Sequence, residues 1–267
     1  ALEAAATPAE FAFATVKVLS AAKDIHVTVS AGPASKPIPT HKANLAFNMA
    51  MDRTFPRISD LEHHDDCIAS GHIGDVGYLM LKSFIRTKGP RFPSTLLAAW
   101  KRVATREAMI VDTRPNTGGD ELLARQVAAR FVDKDVVYAT HETGPPPPSG
   151  KAKRHQRRLM AAMPRQRFTG KVALLFGPAN LSSTEAFILM MKQAPNVTSY
   201  GDKTYGSSGN PQPINLGNGV IISLPSWRAF TADGTALEGV GIAPDVTVPW
   251  GDEGDPVIDA ALAALRK

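Results

Sequence analysis

Two almost uninterrupted apolar runs constrain this chain more than any other feature: Ala108-Met109-Ile110-Val111-Asp112 and Lys171-Val172-Ala173-Leu174-Leu175-Phe176. A strand without polar alternation must be covered on both faces, as in a sheet flanked by crossover helices. The surrounding pattern agrees. Strands are expected at Val76–Leu81, Val136–Ala139 and Val197–Tyr200, and helices at Ser94–Ala104, Asp120–Val132 and Ser182–Gln193. Strand and helix therefore alternate, which predicts an α/β fold with a mostly parallel sheet.

The ends of the chain read differently. Thr7-Pro8-Ala9-Glu10 is a capping box with proline at the first helical position, opening a helix that runs to about Lys23-Asp24. A short strand at His26–Val29, a turn-rich linker from Gly32 to Pro39 and a helix at Ala43–Met51 are expected next. After Pro211 the texture turns β-rich, with a hairpin of Gln212–Leu216 and Val220–Leu224 around Gly217-Asn218-Gly219. Another strand follows at Trp227–Thr231, and a helix at Asp255–Leu265 closes the chain. The expected division is an N-terminal helical segment with linker over 1–73 and an α/β core over 74–267. Proline and basic residues mark an exposed loop near 145–170.

Composition narrows the function. A single cysteine, Cys67, excludes an intramolecular disulfide and a cysteine-rich zinc module. No apolar run approaches the roughly 18 residues a transmembrane helix needs. The net charge of +5 suggests nucleic acid until its distribution is read. Lys151, Lys153, Arg154, Arg157, Arg158, Arg165 and Arg167 lie in one acid-free stretch, and removing those seven from +5 leaves −2 for the rest. No nucleic-acid partner is expected. Ala1 is not a methionine, which fits a cleaved leader or a trimmed chain. A periplasmic or secreted setting is slightly favoured over a cytoplasmic one.

Three stretches can carry chemistry. In Asp112-Thr113-Arg114-Pro115-Asn116-Thr117-Gly118-Gly119 a buried strand ends, and a glycine pair opens the next helix, exposing backbone N–H groups. Phosphate-loop and dinucleotide spacings are absent. In Gly177-Pro178-Ala179-Asn180-Leu181-Ser182-Ser183-Thr184-Glu185 a sharp turn joins a strand to a helix at a hydroxyl cluster. Ser182 there is either a nucleophile or an ordinary N-cap with Glu185 as its box partner. The third, Leu237-Glu238-Gly239-Val240-Gly241-Ile242-Ala243-Pro244-Asp245, is by itself a glycine-rich turn with a surface glutamate.

In this order the three stretches resemble the tail-specific (C-terminal processing) peptidases and the tricorn protease core, over about Gly74 to Val248. The resemblance implies a ClpP/crotonase-like spiral core and a serine endopeptidase with no cofactor or metal. It places the nucleophile at Ser182, one oxyanion N–H at Ser183 and the other at Gly118 or Gly119. The tail-specific branch draws its base from a lysine in a Thr-[Phe/Tyr]-Gly-Lys motif. Here Thr204-Tyr205-Gly206 is followed by Ser207. The tricorn-like branch uses a histidine at a helix-to-strand junction, which His26 matches, supported by a glutamate, which Glu238 matches 56 residues after Ser182. A hydroxyl needs such a base, and a carboxylate fixes the base's tautomer. Where the tricorn pattern has a serine before the histidine, this chain has Ile25.

Relatives in the tail-specific branch often carry an inserted peptide-binding module. The short Gly32–Pro39 linker leaves no room for one here, so specificity for free C-termini is less expected. The implied partner is a protein or peptide substrate; whether copies associate is left open. The alternatives are a non-catalytic ligand- or peptide-binding protein on the same fold and a crotonase-type acyl-CoA enzyme. Of the remaining candidates, His63-His64-Asp65-Asp66-Cys67 reads as a solvated loop before a metal site, because adjacent residues point in different directions.

Overall fold

The computed structural model describes residues 2–85, 91–143 and 154–266. They form two compact units, both discontinuous in sequence. The smaller comprises Ala1–Asn44, His141–Gln156 and Ser207–Ala229; the larger comprises Leu45–Thr140, Arg157–Gly206 and Phe230–Lys267.

The larger unit is built on a seven-stranded sheet in the order Val246–Thr247, Val197–Gly201, Lys171–Phe176, Ala108–Asp112, Val76–Leu81, Ile68–Ile73, Ser59–His63. The first five strands run parallel to their neighbours. The last two pair antiparallel, extending the sheet as a meander. The central apolar runs are strands as expected, and every residue of Ala108–Asp112 and Val76–Leu81 is buried. One core cluster joins Tyr78, Met80, Ile110, Ala173 and Leu175 from the sheet with Val257, Ile258, Ala261 and Leu262 from the closing helix. Fully burying each Val, Leu, Ile or Met side chain contributes about 1.5–3 kcal/mol.

In the smaller unit a four-stranded antiparallel sheet has the order Gln212–Asn215, Ile221–Leu224, Thr28–Ser30, Ile38–Pro39. The helix Pro8–Leu19 opens as its capping box predicts. Thr7 accepts from the Glu10 N–H at 3.2 Å, and Glu10 accepts from the Ala6 N–H at 2.8 Å. Ala12, Val29 and Val220 form its buried cluster, with Phe11, Val16 and Leu19 packed against them.

Two expectations fail, and a third holds in part. Ala43–Met51 is irregular, and only Met51–Thr54 is helical. Asn48 explains this: its side chain donates to the Phe176 carbonyl at 2.9 Å, and its own carbonyl accepts from Arg114 at 3.0 Å. The second bond takes a backbone carbonyl that a helix would use, and the first ties the residue to a distant strand. His63-His64-Asp65-Asp66-Cys67 follows its solvated-loop expectation: it ends the strand Ser59–His63 and turns into Ile68–Ile73, with His63 and Asp66 exposed. Asp65 Oδ1 accepts from the N–H groups of both Cys67 and Ile68, and Cys67 is fully buried. Among the described residues no three acidic, histidine or cysteine side chains gather as a metal site. In the basic stretch, Lys151 and Lys153 lie outside the described residues. Arg154–Met160 is a strand, and Arg158 is buried against Glu121 and the Tyr138 ring.

Candidate active site

Ser182 sits where the buried strand Lys171–Phe176 gives way to the helix Ser183–Met191. The intervening turn is tightly held. Asn180 accepts from the Gly177 N–H at 2.7 Å and donates to the carbonyls of Thr113 and Asn116 at 2.6 and 2.7 Å. This pins the turn to the loop after Ala108–Asp112. Ser182 itself has φ 55° and ψ −128°. That conformation belongs to glycine, and a side chain held there stores about 1–3 kcal/mol.

The N-cap reading of Ser182 does not survive. Its hydroxyl makes no capping hydrogen bond. Glu185, the presumed box partner, is fully buried, and its carboxylate accepts from the Thr204 hydroxyl and the Gly206 N–H. Glu185 thus anchors the Thr204–Gly206 segment to the helix that begins beside Ser182. Thr204 in turn accepts from the Ile242 N–H at 2.8 Å, and Gly206 accepts from the Gly239 N–H at 2.7 Å. Those bonds seat the half-buried turn that carries Glu238. The sequence signal for this role was present in the Ser-Thr-Glu triplet, but it pointed to capping.

The glycine pair lies against Ser182. A Cβ on Gly118 would fall 3.0 Å from Ser182 Cβ and 3.3 Å from Ser183 N, and one on Gly119 would fall 2.2 Å from the Phe84 carbonyl oxygen. Both glycines also have positive φ, 114° and 133°. Their N–H groups differ. Gly118 donates to Asn116 Oδ1 at 2.8 Å, and the same oxygen accepts from the Thr184 hydroxyl at 2.7 Å. The Gly119 and Ser183 N–H groups donate to no acceptor among the described residues. Ser183 Oγ donates to the Gly119 carbonyl at 2.6 Å, which ties those two residues together. Two open backbone donors at a helix start, beside a hydroxyl, form a setting for developing negative charge.

The loop bearing these glycines rests on a buried ion cluster. Arg114 is fully buried and pairs with Asp112 at 2.7 Å and Asp255 at 2.9 Å. Tyr78 donates to Asp112, and Thr54 donates to Asp255. Burial alone would lower the Arg114 pKa, but the two carboxylates more than offset it and raise it. Burial likewise works to raise Asp255, yet its bonds to Arg114 and Thr54 hold it below the usual carboxylate range.

His26 belongs to the smaller unit, between the turn Ser20–Ala22 and the strand Thr28–Ser30. Its side chain is only 10% exposed. Asp24 Oδ1 accepts the His26 backbone N–H at 2.8 Å and lies 3.4 Å from Nδ1. Burial works to raise the Asp24 pKa, but the hydrogen bonds and charge of His26 bring it below its ordinary value. Ser207 Oγ meets Nδ1 at 3.0 Å. Neither Asp24 nor Ser207 was singled out from the sequence as a partner of His26.

The model of peptidase family S41 matches residues 75–248, which include Ser182, both glycines and Glu238. The chain belongs to peptidase family S41. A Staphylococcus epidermidis protein named a probable CtpA-like serine protease is 30% identical over 176 residues, 66% of this chain and 34% of that one. The carboxy-terminal processing protease CtpB of Bacillus subtilis is 25% identical over 182 residues, 68% of this chain and 35% of that one. The chain thus spans about a third of the length of these family S41 relatives. A crystal structure of a peptidase candidate from Parabacteroides merdae shares the fold, with a TM-score of 0.78 and 21% identity over 97% of this chain and 83% of that one. His26 lies outside the matched segment. No helix among the described residues is long and apolar enough to cross a membrane.

Proposed function

We propose that this family S41 chain is a serine endopeptidase acting through an acyl-enzyme on protein or peptide substrates. The observation that carries the reading is the backbone of Ser182. A non-glycine residue is held at φ 55° at the start of a helix, and its hydroxyl makes no capping bond. Strain of that kind persists where the surroundings over-determine it, and it clusters at active sites.

In the proposed reaction Ser182 Oγ attacks the scissile carbonyl carbon while its proton passes to His26 Nε2. The oxyanion is received by the N–H groups of Ser183 and Gly119; Gly118 drops out because its N–H is engaged by Asn116. Collapse breaks the C–N bond, and His26 returns the proton to the leaving amine. Water, deprotonated by His26, then attacks the acyl carbonyl, and collapse breaks the ester C–O bond as His26 returns the proton to Ser182 Oγ. Glu238 supports the imidazolium that forms in each half.

The test is labelling with a fluorophosphonate probe, with the adduct located by peptide mass spectrometry. An adduct on Ser182 is expected between about pH 7 and 9, where an ordinary histidine is largely neutral. It is expected to vanish in Ser182→Ala, to slow by orders of magnitude in His26→Ala and to weaken in Glu238→Ala. No adduct at any of these pH values would favour the non-catalytic binding reading.

A further inference from the structure

The tail-specific pattern would place a lysine at position 207, and the tricorn pattern would place a serine at position 25; this chain has Ser207 and Ile25. We propose that Ser207 is a positioning residue for His26, fixing the ring so that Nε2 is the proton-accepting atom, with Asp24 supplying the negative charge beside it. The inference rests on the reading of His26 as base, and it names what orients that base.

Three observations carry it, all within the smaller unit. First, Ser207 Oγ is 3.0 Å from His26 Nδ1, within hydrogen-bond range, and Ser207 is buried at 4% exposure. A buried hydroxyl has few orientations, so it constrains the ring plane. Second, the Asp24 carboxylate lies 3.4 Å from the same nitrogen. A carboxylate only accepts, and a lone pair on Nδ1 facing it would be repelled, so the proton belongs on Nδ1. Ser207 Oγ is then the acceptor of that proton, and the lone pair sits on Nε2. Third, Asp24 is itself fixed, because the same oxygen accepts the His26 backbone N–H at 2.8 Å. The aspartate thus clamps the main chain of the residue whose ring it polarises. A carboxylate two residues before the histidine does locally what triad carboxylates do from a distance. It favours the imidazolium as the proton arrives.

The measurement is long-range nitrogen-15 NMR of the histidine ring at a pH where His26 is neutral, with its signals assigned by their loss in His26→Gln. The unsubstituted chain is expected to show the Nδ1–H form. Ser207→Ala and Asp24→Asn should each shift His26 toward the Nε2–H form. Ser207→Ala should also slow fluorophosphonate labelling of Ser182 about tenfold, the size of one orienting hydrogen bond. An Nε2–H form in the unsubstituted chain, or a His26 spectrum unchanged in Ser207→Ala, overturns the proposal even if Ser182 labels. If Ser182 never labels while the tautomer shifts as expected, the positioning role stands and the peptidase reading falls.

Discussion

The surroundings of Ser182 and those of His26 are built to different standards. Ser182 lies in the larger unit, on a turn held by Asn180, Asn116 and two glycines that admit no side chain, over a fully buried Arg114 cluster. His26 lies in the smaller unit, beside a four-stranded sheet whose strands are two to four residues long and a buried cluster of Ala12, Val29 and Val220. Its ring is held by one hydroxyl and one neighbouring carboxylate. The region that must hold strain has redundant supports. Among the described residues the region holding the proposed base has few, and each of them touches the ring or its own backbone. Strain needs over-determination, whereas a base needs only its tautomer and plane set.

The hardest blow to that contrast is Arg114→Met. It leaves Asp112 and Asp255 buried without their cation and should cost about 3–5 kcal/mol, read as a lower midpoint in denaturant melts. A loss below about 1 kcal/mol would mean the glycine loop does not depend on the cluster. Next comes Ser182→Gly. Relief of about 1–3 kcal/mol of backbone strain, less about 0.5–1 kcal/mol of glycine chain entropy, should leave the protein more stable by roughly 1 kcal/mol while abolishing labelling. Equal or lower stability would show that no strain is stored there. The smallest effect is expected from Asp24→Asn, a loss of roughly 0.5–1 kcal/mol. Asp24 has a folded pKa below its unfolded value, so its stabilisation is present above about pH 4 and fades as pH falls through the folded value. The stability gap between Asp24→Asn and the parent should therefore be present above about pH 4 and close as pH falls below it; a gap undiminished well below that pH would reverse the assignment.

Much of this arrangement was legible in the sequence. The central strands were marked by unbroken apolar runs, the hairpin by Gly217-Asn218-Gly219 and the first helix by its capping box. Other parts were not. Ser59–His63 is a strand at the edge of its sheet, so its polar residues are exposed on both sides and leave no alternation to read. Ala43–Met51 had helical composition, yet Asn48 is claimed by Phe176 and Arg114, far along the chain. Arg158 looked like a solvated charge because its partners, Glu121 and Tyr138, are distant in sequence.

By itself the sequence determined the alternation of strands and helices and the placing of Ser182 and its glycines at loop ends. Those properties follow from periodicity and turn chemistry within a dozen residues. Only the tertiary structure decided that Glu185 turns inward and that Ser182 makes no capping bond, and that the Gly118 N–H meets Asn116 while that of Gly119 meets no acceptor among the described residues. The same holds for the contact of His26 with Ser207, 181 residues away. Each of these depends on which groups folding brings within about 3 Å, and no local pattern encodes that.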